Sequence, residues 1–140
     1  MNLKAISPVI ATVIIVSVAI AIAVAVAFWM TGITGLFTRY EKLEIVSAYA
    51  TATTGGGFEI HLTVRNTGTT TVTIDEIFIN GVPFTGTVNY GGDFTDHSLD
   101  PGDSGTITIT LGTGYISGQI VEVKLHTAAG NEYPKSVQLP

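Results

Sequence analysis

Residues 9–30 read VIATVIIVSVAIAIAVAVAFWM, 22 consecutive residues broken only by Thr12 and Ser17. As a helix rising 1.5 Å per residue the run covers about 33 Å, enough for a hydrocarbon core of about 30 Å. Part of it, Val16–Ala27, alternates with period two like a strand. Both phases are apolar, however, and the run is far longer than a strand, so length decides for helix. Pro8 suits a first helical turn, where a missing N–H costs nothing, and Ser7 or Asn2 is placed to cap that end. A cleaved secretory signal fits less well. Its apolar region runs about 7–15 residues and ends at a small-residue site, whereas Phe28, Trp29 and Met30 stand at the end of this one.

Outward from this run the chain divides into two chemically different parts. Of 140 residues, 46% are apolar and 12% charged, with a net charge of −5 and a mean hydropathy of +0.46. No charge falls in the 34 residues between Lys4 and Arg39, while residues 41–140 carry 4 basic and 11 acidic side chains, a net of −7. A single soluble globule is not a natural reading of that distribution. Lys4 and the terminal amine put positive charge on the N-side. Arg39 and Lys42 are offset by Glu41 and Glu44, so the positive-inside rule places the N-terminus in the cytoplasm and the acidic domain outside. Ala19, Ala23 and Ala27 recur every fourth residue on one helical face, with Ala21 and Ala25 forming a second small stripe. Small residues let helix backbones approach closely. The same pattern also suits an ordinary single-pass anchor in which Ala is simply common. Ile33, Leu36, Phe37 and Tyr40 continue the helical spacing, and Gly32 and Gly35 mark a flexible stretch near the end of a helix expected over 6–42.

From residue 43 the chain turns to Thr, Gly and β-branched residues, with 17 Thr in residues 41–140. Phe58, Ile60, Leu62 and Val64 alternate with polar residues, as do Ile107, Ile109 and Leu111, and Val121, Val123 and Leu125. Strands are expected near 43–53, 58–66, 70–79, 82–88, 105–111, 119–127 and 133–139. A phase change in the third predicts a bulge near Asp75–Glu76, and Asn80-Gly81 predicts a type I′ hairpin turn. The whole is then α+β: a long N-terminal hydrophobic helix followed, over 43–140, by an immunoglobulin-like β-sandwich of about seven strands.

The opening Lys4-Ala5-Ile6-Ser7-Pro8-Val9-Ile10-Ala11-Thr12-Val13-Ile14 resembles the N-terminus of archaeal type IV pilins. Val64–Gly68 (VRNTG), Ile77–Gly81 (IFING) and Leu99–Ser104 (LDPGDS) resemble stretches of pilin-like β-domains. The resemblance implies a short leader, residues 1–5, cut by a prepilin peptidase between Ala5 and Ile6, with Lys4, Ala5, Ile6, Ser7 and Pro8 forming the processing site. It implies a homo-oligomeric helical filament, a cell-adhesion pilus, assembled by pilus machinery from subunits first inserted in the cytoplasmic membrane. Val9, Ile10, Val13, Ala19, Ala23, Ala27 and Trp29 would then make helix–helix polymerisation contacts, with the β-domain on the extracellular surface. Bacterial type IV pilins carry Glu at the fifth mature position. Here that position is Ile10, which removes the salt bridge such a Glu makes. Archaellins, the subunits of rotary filaments, usually begin with a different pattern, so an adhesive pilus is the expected filament and an archaellin-type subunit an alternative. A membrane-anchored extracellular β-sandwich binding module is the alternative of a different class.

Other chemistry is sparse. With no Cys there are no thiolate sites or disulfides, and an acidic domain without a basic cluster argues against nucleic acid. P-loop, dinucleotide and zinc motifs are missing, so no cofactor is expected. Gly102-Asp103-Ser104-Gly105 has the letters of a serine-protease motif but lies in a Pro-Gly turn, in a domain too small for that fold. His61 and His126 fall on polar strand phases and His97 in an acidic loop. Asp93, Asp96, Asp100 and Asp103 offer hard oxygens to Ca²⁺ but match no EF-hand spacing. None of Asn2, Asn66, Asn80, Asn89 and Asn131 stands in a glycosylation sequon. The many Thr suit O-linked sugars, and strand propensity explains them equally. A non-enzyme is expected.

Overall fold

The computed structural model describes residues 3–140, with side chains from Ser7 onward. Of the expected leader, Met1 and Asn2 therefore lie outside the described residues, as do the side chains of Leu3, Lys4 and Ala5, and that of Ile6 just beyond it. Two compact units are present, one ending at Arg39 and the other spanning Tyr40–Pro140.

The first unit is a single helix, α1, Leu3–Phe37. Its start is a correction: Pro8 lies inside the helix and not in its first turn, and Ser7 is helical and not a cap. A proline there leaves the carbonyl four residues back, on Lys4, without its usual N–H partner. The helix also continues through Gly32 and Gly35, where a flexible stretch was expected, and stops at Phe37, short of residue 42. Thr38 closes it, its N–H and hydroxyl both donating to the Thr34 carbonyl at 3.1 and 3.0 Å.

The second unit is a β-sandwich of two antiparallel sheets. In chain order the strands are β1 (Leu43–Ala52), β2 (Phe58–Asn66), β3 (Val72–Ile79), β4 (Val82–Pro83), β5 (Val88–Gly92), β6 (Ser98–Leu99), β7 (Ser104–Leu111), β8 (Ile120–Thr127) and β9 (Glu132–Gln138). Sheet one runs β1-β2-β7-β5 and sheet two β4-β3-β8-β9, with β6 also pairing with β3. Alternation does what it promised. Ile60, Leu62 and Val64 of β2 and Ile107, Ile109 and Leu111 of β7 are buried from one sheet. Val72, Ile74, Val121, Val123 and Leu125 meet them from the other. At about 1.5–3 kcal/mol for each fully buried large side chain, this core accounts for a self-contained domain.

The register shifts between Ile74 and Glu76, in agreement with the bulge expected near Asp75–Glu76. Asn80 and Gly81 both take positive φ, 51° and 80°, as the type I′ turn requires. The expected strand 82–88 is not one strand. Pro83 lacks the N–H that would carry the ladder forward, so β4 ends there in sheet two, and the chain crosses to β5 in sheet one. A second bulge, at Val46 of β1, and the short β6 have no counterpart in the sequence reading.

Candidate functional site

From Ser7 to Phe37 the helix is long and apolar enough to cross a membrane. Every described residue over that span except half-buried Ile33 is exposed within this chain. Its hydroxyls do not need outside partners. Thr12 donates to the Val9 carbonyl, Ser17 to Val13, Thr31 to Ala27 and Thr34 to Met30, all at 2.7–2.8 Å. Side chains that bond back to their own helix present an almost wholly apolar surface to lipid or to another helix. Helix–helix contact, if made, has to rest on shape and not on hydroxyl bridges.

The helical period sorts the expected contact residues. At about 100° per residue, Val9, Val13, Ala19, Ala23 and Ala27 fall within one face about 120° wide. Ile10 lies about 100° from Ala27 and Trp29 about 160° from it, so these two do not share that face. Thr12, Val13, Val16 and Ser17 frame a shallow recess on the helix surface. Of the expected processing residues, Ser7 and Pro8 are helical and exposed or on the helix's exposed stretch.

Within the β-unit the segment entering β1 is clipped in place. The Tyr40 carbonyl accepts the Thr69 N–H, and the Lys42 carbonyl accepts the N–H groups of Thr67 and Gly68. The Tyr40 N–H in turn donates to the Thr69 hydroxyl at 3.1 Å. Gly68 permits this closeness, because a Cβ there would stand 2.6 Å from the Lys42 nitrogen and 2.7 Å from the Tyr40 oxygen. Beneath the clip Asn66 is fully buried. Its amide donates to the carbonyls of Thr70 and Leu99, both at 2.8 Å, and its side-chain oxygen accepts the Gly68 N–H at 2.9 Å. Its backbone pairs with Asp103 and Gly102. Two of the three pilin-like phrases, 64–68 and 99–104, thus meet at one corner. The third, 77–81, makes a hairpin turn elsewhere. The sequence places Asn66 at the end of an expected strand, and nothing local in it reveals that one of its partners, Leu99, lies 33 residues away.

Tyr133 faces the same entry segment. Burial pushes its phenol above the ordinary value, a hydrogen bond from the Leu43 backbone opposes this, and the nearby Glu41 carboxylate adds to the rise. One Glu41 oxygen, Oε1, is buried without a hydrogen-bond partner among the described residues.

The remaining sequence candidates are spread over the sandwich. His61 on β2 lies between Thr51 (3.1 Å, Nε2) and Thr108 (3.3 Å, Nδ1). His126 on β8 bonds Asp75 at 2.6 Å. That bond is the main cause of a raised imidazole pKa. Desolvation opposes it as the next largest effect, and the charges of Asp75, Glu132 and Glu76 add to the rise. His97 packs on Tyr90, ring centroids 4.3 Å apart. Ser104 opens β7 opposite Arg65. Asp93 accepts the Ser104 N–H at 3.3 Å, and Asp100 accepts the Thr71 hydroxyl at 2.7 Å. Among the described residues, no three His, Asp or Glu side chains converge as metal ligands.

Neither a protein-family model nor a curated protein matches the sequence. Among solved structures, the chain is similar to the archaellum periplasmic stator protein FlaG from Sulfolobus acidocaldarius, with 22% identity and a TM-score of 0.52. The likeness covers 69% of this chain and 99% of that one, and it establishes a shared fold.

Proposed function

We propose that this chain is the major structural subunit of an archaeal type IV adhesive pilus, a non-enzymatic protein that polymerises through its N-terminal helix. One observation carries the reading: a helix with a continuous exposed apolar surface and self-bonded hydroxyls is attached to a domain whose core is already complete. Such a helix has an unsatisfied surface that its own domain does not need. The absence of charge between Lys4 and Arg39 suits it to both lipid and a filament core, since no ion has to move through hydrocarbon. Burial worth about 1.5–3 kcal/mol per large apolar side chain then makes escape into water very unfavourable. The Lys4–Pro8 motif supports processing by a prepilin peptidase after Ala5. Cutting there places Pro8 third in the chain, back in a first turn where its missing N–H costs nothing.

The fold shared with FlaG favours a second reading, a membrane-anchored component beside an archaeal surface filament that does not itself polymerise. Fractionation separates the two. The pilin reading expects this chain in filaments sheared from cells. The anchored reading expects it only in membranes, with sheared filaments lacking it.

A further inference from the structure

The two outer faces of the sandwich differ in chemistry. That of sheet two carries Asp75, Glu76, Glu122 and Glu132 together with Lys124 and His126. On sheet one the central rows run Ser47–Thr63–Thr106, Tyr49–His61–Thr108 and Thr51–Glu59–Thr110. These residues alternate with buried Ile60, Leu62, Ile107 and Ile109, so they share the outward side. Glu59 is the one charge among the three rows, in a domain whose net charge is −7.

In the middle row, on edge strand β1, stands an exposed aromatic side chain packed against a neighbour. Tyr49 is 54% exposed, and its ring stacks on His61 with centroids 4.9 Å apart and planes 26° from parallel. His61 is itself fixed by hydroxyls at both ring nitrogens, Thr51 and Thr108. An exposed ring supported from below loses little freedom when something stacks on it. Around it, Ser47, Thr63, Thr106 and Thr110 make no side-chain hydrogen bonds within the domain among the described residues. Their hydroxyls are left to water and are able to exchange it for another hydroxyl compound at small cost.

We propose that this face is a binding platform for neutral saccharides, with a pyranose ring stacking on Tyr49 and its hydroxyls bonding to the surrounding Thr and Ser side chains and to Glu59. Charge selects this occupant: the acidic domain disfavours anions, and Glu59 has only His61 beside it (3.8 Å), with no third His, Asp or Glu converging among the described residues to hold a cation. A protein interface ordinarily brings a cluster of aromatic and apolar anchors, and Tyr49 stands alone in these rows. A saccharide needs one flat ring and many neutral donors and acceptors. The platform is a property of the β-domain and stands whether or not the chain polymerises.

Calorimetric titration of the full-length chain in phosphatidylcholine nanodiscs tests it, using cellotetraose, maltotetraose and mannotetraose, with tetragalacturonate as the anionic counterpart. The expected result is binding of at least one neutral tetrasaccharide with a Kd below about 5 mM, a weak value suited to a shallow site that gains from repetition along a surface. Tyr49→Ala should weaken it by about tenfold or more, while Tyr49→Phe keeps it within about threefold, each with an unchanged melting temperature. No heat from any neutral probe at about 20 mM overturns the proposal, a concentration well above the expected Kd. Preference for tetragalacturonate, or a Tyr49→Ala variant that binds normally, overturns it equally. So does association between nanodiscs that Tyr49→Ala abolishes, which would assign the face to a second copy of the chain.

Discussion

Asn66 and His126 illustrate opposite kinds of polar residue. Asn66 is buried with its amide and carbonyl oxygen all engaged, so Asn66→Ala takes the amide donor from the Thr70 and Leu99 carbonyls, while the Gly68 N–H keeps the Lys42 carbonyl. At about 1–3 kcal/mol per orphaned group, the expected loss is about 2 kcal/mol or more, read as a lowered denaturant midpoint. His126 is on the surface, and its pair with Asp75 acts through protonation. Its folded-state pKa is raised above the ordinary 6.5. The pair therefore stabilises the fold fully below that ordinary value and loses its contribution as pH rises through the raised one. Melting temperatures taken from about pH 5 to about pH 8 should show this loss, and Asp75→Asn should flatten it. The sequence assigned His126 correctly to a polar strand face and put a bulge near its partner. It was silent on the pairing, because strand order within a sheet is a long-range property that alternation does not encode. Asp96 and His97 were missed for a local reason. Both adopt positive φ, 47° and 63°, without the glycine that usually announces such a turn.

At the scale of elements, apolar length and alternation were the reliable signals, and termini were not. The long helix and the paired strands β2, β7 and β8 follow from side-chain pattern alone. The segment 82–88 was expected as one strand, yet Pro83 cuts the ladder and the chain goes on to the other sheet. The helix offers the sharpest element-level prediction. Because the Ser17 hydroxyl bonds back to the Val13 carbonyl at 2.7 Å, Ser17→Ala should leave filament assembly unchanged. Ala23→Phe enlarges the middle of the small-residue face and should abolish filaments while membrane insertion persists, as scored by electron microscopy and membrane fractionation. Abundant normal filaments from Ala23→Phe would remove the small face from the account. Among the expected contact residues, Ile10 and Trp29 lie off that face, so substituting them should affect assembly separately from the Ala series.

At the scale of the whole molecule, the chargeless run between Lys4 and Arg39 and the −7 of residues 41–140 correspond to two units, a bare apolar helix and a β-sandwich with a complete core. The division was legible because the two halves obey different chemistry. The clip at Tyr40–Lys42 was not, since it depends on a turn more than 20 residues further on. A protein built this way is suited to hold its helix in an apolar medium while the domain faces water. The central claim is that this helix, freed of its leader, is the polymerisation element. Intact-mass measurement of the chain recovered from sheared surface filaments tests it most directly. The account predicts a filament subunit beginning at Ile6 and lacking residues 1–5. A chain that retains Met1–Ala5, or filaments that do not contain it at all, would contradict that claim.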